Sequence, residues 1–283
     1  MKTEFFSTLT GRFTASDLPE PFRPERSTQG RLQIGCLSSE GISSYEISHS
    51  LKQNFGREDI YPIAPKHLTP EILSRLDLLV LPGIDDESNH YPKILDGKID
   101  ILKDAIENHG LVLLTFCAAS YFMFSRIKYL PRNGVPKERN GADLIKGEAV
   151  HAFSHVTRKT LNGSPWNDFV MAEVKSEDPP HSLRALNING PTMMVDRQKD
   201  PLVQTFMSYV AINGDAIIVK PMKRGGIIAS GIHPEISPIH KNLPEDFAKY
   251  ENDRHIIWFG IKKKIMELVR NARSTSVTEP SYG

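Results

Sequence analysis

The stretch "LVLLTFCAAS" (residues 111–120) decides how the chain folds. A mainly apolar run, with Thr115 inside it, ends on Cys117 and passes at once to Ala118, Ala119 and Ser120. Continuous hydrophobicity, without polar alternation, is the mark of a strand covered on both faces, as in a parallel sheet. Cys117 then has two readings. It is a plain core thiol, or it stands on a sharp strand-to-helix turn with its sulfur above the carboxyl edge of the sheet, where open α/β sheets bind ligands. The small residues after it suit the second reading, because such a turn brings strand and helix close together. "YFMF" (121–124) can continue the chain as a helix, whose first N–H groups favour a thiolate.

Outward from this stretch, strand and helix patterns alternate. "RLQIGCLSS" (31–39) reads as a buried strand and turn, and "SSYEISHSLKQNF" (43–55) places Ile47, Leu51 and Phe55 at helical spacing. "DIYPIAP" (59–65) reads as a short strand. "LDLLVLPG" (76–83) is another continuous apolar run, stopped by Pro82-Gly83. "GKIDILKDAIENHG" (97–110) is amphipathic and ends on a glycine stop. This alternation predicts a parallel sheet with helices on both faces. The second half differs: "LNINGPTMMVD", "FMSYVAING", "DAIIVKPMKRG" and "GIIASGIH" are closely spaced strands, read as antiparallel extensions of the sheet. "KRGG" (223–226) reads as a hairpin turn rather than a phosphate loop. A closing helix over 254–272 carries Ile257, Ile261, Ile265 and Leu268 on one face, with Lys262 to Lys264 as a solvated run.

Composition bounds the function. The 283 residues hold 35 Lys and Arg against 34 Asp and Glu, so nothing in the charge suggests nucleic acid or an anionic membrane as the main partner. Two cysteines, Cys36 and Cys117, cannot build a disulfide framework, and a reducing compartment is the simpler expectation. The N-terminus lacks the apolar core of a secretory signal, and no run approaches the roughly 20 apolar residues of a membrane span. The expected location is cytoplasmic. Residues 1–30, polar and rich in Pro, Ser and Thr, read as a disordered segment. Residues 31–272 read as one α/β domain and 273–283 as a flexible tail.

A nucleophilic cysteine needs a base, and the base needs an acceptor to orient its second nitrogen. "IIASGIHPEI" (227–236) offers both: His233 follows a strand and a glycine, and Glu235 comes two residues later. A turn histidine beside a solvated carboxylate is the plain alternative. "LLVLPGIDDES" (78–88) offers free N–H groups around Gly83 and Ile84, which with that of Ala118 could hold an oxyanion. Asp85, Asp86 and Glu87 beside them are either a polar loop or a substrate-selecting cluster for an amine or cation. His151 and His155 lack partners at ligand spacing, so no metal site is expected, and no cofactor motif is present.

Taken in order, "GISSYEISHSL", "LDLLVLPGIDDESNHYPKILDGKIDILKDAIENHG", "LLTFCAASYF", "LNINGP" and "SGIHPE" resemble the class I glutamine amidotransferase-like fold. More closely, the chain resembles the N-terminal domain family of eukaryotic biotin–protein ligases, from about Gly35 to Glu235. The resemblance implies a flavodoxin-like three-layer α/β sandwich, with Cys117 as nucleophile, His233 as base, Glu235 as its orienting acid, and the Pro82-Gly83 turn with Ala118 at the oxyanion. It implies a small amide or related carbonyl as substrate, with a separate protein partner if ammonia is passed on. The family pattern G-x-C-A-G stands here as Thr115-Phe116-Cys117-Ala118-Ala119, and "PGG" as Pro82-Gly83-Ile84. No "GRGRxG" adenylate loop is present, so biotin transfer by this chain alone is not expected. Two functions stay open: a cysteine-dependent hydrolase or amidotransferase-like enzyme, and a catalytically inactive ligand-binding or regulatory domain.

Overall fold

The computed structural model describes residues 31–38, 44–56, 59–83, 90–130, 135–152, 159–160, 168–177, 180–236 and 250–277. The first four strands and their helices follow the apolar runs. Strands β1 (Gln33–Leu37), β2 (Asp59–Ile63), β3 (Leu78–Leu81) and β4 (Val112–Phe116) alternate with helices α1 (Ser44–Phe55), α2 (Pro70–Leu73), α3 (His90–Ile94) and α4 (Ile99–His109). Helix α4 ends where the sequence predicts, on Gly110 in the left-handed region at φ 77°. A short helix, α5 (Ala118–Met123), follows β4.

The second half supplies β5 (Phe124–Tyr129), β6 (Lys137–Asn140), β7 (Ile145–His151), β8 (Lys159–Thr160), β9 (Asp168–Glu177), β10 (Pro180–Ile188), β11 (Pro191–Val195), β12 (Gln204–Tyr209), β13 (Asp215–Pro221) and β14 (Gly226–Ser230). Helix α6 (Glu251–Val277) closes the chain and runs past its expected end at 272. Residues 1–30 and 278–283 lie outside the described residues.

One mixed sheet joins all of these strands, in the order β2-β1-β3-β4-β14-β13-β11-β7-β5-β6, with β8, β9, β10 and β12 paired off that path. Its first five members are parallel: β1 pairs β2 and β3, β3 pairs β4, and β4 pairs β14. Strand β14, late in the sequence, is thus the neighbour of β4. Beyond it the sheet turns antiparallel, β14 to β13 to β11 to β7. The β13–β14 hairpin closes at the expected glycine turn, with Met222 N–H donating to Gly225 O at 3.0 Å.

The continuous apolar runs are explained by two cores, one on each face. Leu78, Val80, Val112, Leu114 and Phe116 pack toward Ile47 and Leu51 of α1 and Trp258, Ile261 and Ile265 of α6. Leu79, Leu81 and Leu113 face the opposite way, toward Leu102 and Ile106 of α4. Each such side chain contributes about 1.5–3 kcal/mol when fully buried, and in β3 and β4 no residue is left to face water. The lysine run of α6 is less solvated than expected. Lys262 donates to Asn54 O at 2.7 Å and lies over the Phe55 ring, tying α6 to α1.

Candidate functional site

The carboxyl ends of three adjacent parallel strands meet at one place. Gly83 follows β3, Cys117 follows β4, and His233 follows β14. Sequence distance is irrelevant here, because the sheet order makes neighbours of residues far apart in the chain.

Cys117 sits at φ 49°, ψ −113°, a conformation that a side chain adopts only under constraint. The constraint is visible. Cys117 N–H donates to Ser230 O at 3.0 Å, and Cys117 O accepts from Tyr121 N–H at 3.0 Å. Ser120 reinforces the turn: its hydroxyl donates to Ser230 O at 2.9 Å and accepts from Ser230 N–H at 3.1 Å. Thr115, which stands where the amidotransferase pattern has glycine, shares a 3.0 Å hydrogen bond with the same hydroxyl. The side chains of Thr115, Ser120 and Ser230 are fully buried, and each has a hydrogen-bond partner, that of Ser230 being Ile232 O. The turn is therefore stitched to the end of β14 by backbone and side chain together. Helix α5 is shorter than the sequence suggests. The chain re-enters the sheet at Phe124, because "FSRIKY" is needed as strand β5 beside β7.

His233 and Glu235 are 5 % and 7 % exposed. Their side chains meet at 2.8 Å between Nδ1 and Oε1. His233 N–H donates to Leu186 O, and the turn between them is held at Pro234 O, which accepts from Trp258 Nε1 at 2.7 Å and from Arg254 at 3.1 Å. Burial opposes a charge on His233. The Glu235 carboxylate and the Cys117 sulfur outweigh it, and the imidazole is held well above its ordinary 6.5. Glu235 Oε2 is buried with no partner among the described residues.

Gly83 packs directly on this pair. A Cβ there would lie 3.1 Å from Cys117 Cβ, 4.0 Å from its sulfur and 3.6 Å from His233 Cε1. The Pro82-Gly83 turn is fixed by buried Tyr91, whose hydroxyl donates to Pro82 O at 2.5 Å. Ala118 begins α5 next to the cysteine. The structure thus brings Cys117, Ala118, Gly83, His233 and Glu235 together. Ile84, Asp85, Asp86 and Glu87 lie outside the described residues.

Sequence reasoning missed a backbone element. Ile188 ends β10, and its carbonyl accepts from His233 Nε2 at 3.1 Å and from the Cys117 thiol at 3.5 Å. The Asn-Gly-Pro of "LNINGP" was a turn signal that could have pointed to it. Asn189 has φ 54°. Gly190 is required, since a Cβ would come within 1.9 Å of Gly231 O.

Elsewhere, His151 is buried and stacks on Tyr129, with ring centroids 5.2 Å apart. Among the described residues no group of His, Cys, Asp or Glu is placed to hold a metal ion. Among the described residues no helix is long and apolar enough to cross a membrane. A separate groove of about 760 Å³ is lined by Arg126, Lys146, Glu148, Arg197, Lys199 and Asp215 among others. Its charges are paired with one another or with near neighbours, as in Arg126–Glu148 and Arg197–Asp215.

Comparison with solved structures follows this geometry. A glutamine amidotransferase crystal structure superposes with a TM-score of 0.53 at 17 % identity, over 83 % of this chain and 98 % of that one. The fold is glutamine amidotransferase-like. A second amidotransferase, from Thermotoga maritima, gives a TM-score of 0.45 at 12 % identity, over 88 % of this chain and 99 % of its own. No protein-family model matches the chain, and no curated protein matches it.

Proposed function

We propose that the chain is a cysteine-dependent acyl-transfer enzyme, a hydrolase or amidotransferase-like protein acting on an amide or related carbonyl. One observation carries this reading. A cysteine in a strained turn at the end of β4 shares its surroundings with a buried His233–Glu235 pair at the end of the adjacent strand β14. A core thiol has no use for strained backbone, and a buried imidazole beside a carboxylate is costly unless it is put to use. The parallel order β2-β1-β3-β4-β14 supports the flavodoxin-like reading of the sheet. The order of motifs supports a place near the biotin–protein ligase N-terminal family.

In the proposed reaction His233 takes the proton of Cys117 on Nε2, and Sγ attacks the carbonyl carbon as the thiolate. N–H groups near Gly83 and Ala118 stabilise the oxyanion; such donors are each worth about 2.7–4 kcal/mol. His233 gives its Nε2 proton to the leaving amine, so the carbon–nitrogen bond breaks as the thioester forms. Glu235 holds the imidazolium through Nδ1. Water then releases the acid and restores the thiol.

The test is the pH-dependent rate of iodoacetamide labelling at Cys117, read by mass spectrometry in the native protein and in His233→Ala. Cys36 is the internal reference, because burial pushes its thiol up to about 12. A Cys117 rate that falls in His233→Ala supports the reading. A rate that ignores the substitution sinks it.

A further inference from the structure

The Ile188 carbonyl stands in an unexpected place. In acyl transfer to sulfur, the leaving atom must lie within hydrogen-bond reach of the imidazole that protonates it and close to the sulfur that has just attacked. Ile188 O lies 3.1 Å from His233 Nε2 and 3.5 Å from Cys117 Sγ. A backbone oxygen of this same chain therefore fills the leaving group's position.

A carbonyl can only accept. Nε2 must carry a proton to bond it, and so must the sulfur. Nδ1 meanwhile faces the Glu235 carboxylate at 2.8 Å. In this arrangement the ring donates from Nε2 to the carbonyl, and the Cys117 thiol donates to the same oxygen. The sulfur lies beside the ring, raises its proton affinity and shares its N–H with the carbonyl, which is held at 3.1 Å from Nε2. A thiolate there would face an oxygen lone pair and have only a share of the His233 N–H.

The carbonyl is not placed by accident of a loose loop. Asn187, 1 % exposed, uses its whole side chain on the corner. Its Nδ2 donates to Gly231 O and to Tyr209 OH, both at 2.8 Å, and its Oδ1 accepts from Gly190 N–H at 3.2 Å. Tyr209 OH in turn donates to Pro191 O at 3.1 Å, and Tyr121 OH donates to Asn189 O at 3.1 Å. Two side chains therefore reach the corner from β10 and α5, and a third from β12.

We propose that Asn187 is a positioning residue for the Cys117–His233 pair: through the Ile188 carbonyl it holds the pair in a locked resting state that substrate binding must displace. The inference rests on the acyl-transfer reading of the same site. With the carbonyl withdrawn, Nε2–H is given to the sulfur alone, the thiol proton leaves to solvent, and the thiolate keeps the imidazolium as its partner.

The experiment compares Cys117 alkylation rate against pH in the full chain, in Asn187→Ala and in the milder Tyr121→Phe, each alone and with His233→Ala. Tyr121→Phe removes only the bond to Asn189 O and keeps the ring, so it covers the case in which Asn187→Ala does not fold. Among the described residues, the titratable and charged groups around the pair are Glu235, Tyr91, Tyr121, Tyr209 and Arg254. Burial, first of all, raises the three phenols above their ordinary 10, which keeps them silent below that pH. Loosening the corner is expected to raise the Cys117 rate roughly tenfold near pH 7 and to move its midpoint to lower pH, since an ordinary thiol is only a few per cent thiolate there. The gain should vanish in the His233→Ala background. An unchanged or slower rate in the loosened variants overturns the lock. If the native rate still falls in His233→Ala, the acyl-transfer reading survives that failure. A gain that persists without His233 overturns both, because the carbonyl would then cover a lone thiol and not a working pair.

Discussion

Two cysteines lie on neighbouring parts of one sheet and differ in almost every respect that matters to chemistry. Cys36 is inside β1, paired in register with Pro62 and Val80, 1 % exposed, its thiol pushed up to about 12 by burial. Cys117 lies one residue beyond the end of β4, 8 % exposed, in a positive-φ turn beside His233. Burial separates them only slightly. Position separates them: a residue within a central strand has its backbone used up by the ladder, whereas the residue after the strand is aimed by whatever pins the turn. Here the pins come from the adjacent strand end, so the same contacts that strain Cys117 also bring it to His233.

The largest expected way to break this contrast is Glu235→Gln. In the native protein the folded state holds the His233 proton more tightly than the unfolded chain does. That stabilisation is fully present below the unfolded value of about 6.5 and fades as pH rises through the raised folded value. The amide still accepts from Nδ1 but supplies no charge, and burial then favours the neutral ring. Breaking a buried pair from one side costs about 3–5 kcal/mol. Thermal melting should show Glu235→Gln least stable relative to the native chain near pH 6, with the gap narrowing toward alkaline pH. A gap independent of pH would mean that the His233–Glu235 contact is not an ion pair.

Gly83→Val should come next. A Cβ at that position lies within 3.1 Å of Cys117 Cβ and 3.6 Å of the His233 ring. Valine adds two methyls in the same direction, and overpacking of this kind costs about 1–3 kcal/mol. Cys117 labelling should lose its dependence on His233 as the two are pushed apart, while Cys36 stays protected. Retained dependence would show that Gly83 is not what sets their spacing.

The sheet edge was legible in the sequence because its signals are local. The apolar runs of β3 and β4, the Pro82-Gly83 stop, the small residues after Cys117 and the His-Pro-Glu turn each announce a strand end. Their convergence was not local: nothing in "IIASGIHPEI" itself says that β14 pairs with β4, and the amidotransferase-like order of motifs supplied that link. The helix after Cys117 was overestimated, because "YFMF" is apolar enough for either state and tertiary pairing claims Phe124 for β5. The Ile188 carbonyl could not be read at all. Backbone atoms carry no residue signature, and the side chains that place this one, Asn187, Tyr209 and Tyr121, are spread over three elements.

The smallest expected effect tests whether the turn is pinned from outside the site. Trp258 is fully buried in α6 and gives its indole N–H to Pro234 O at 2.7 Å. Trp258→Phe keeps an aromatic ring against Phe116 but removes that donor. Pro234 O retains Arg254 as a partner, so the carbonyl is not orphaned and the loss should be about 1 kcal/mol, within the usual net worth of one hydrogen bond plus a modest packing change. The informative quantity is the pH midpoint of Cys117 labelling measured beside the melting temperature. If the midpoint stays fixed while stability drops, Arg254 alone suffices to aim the His-Pro-Glu turn, and α6 serves the site only as a wall. If the midpoint moves with a loss this small, the turn depends on two donors from one helix, and the difference between the cysteines reaches as far as α6.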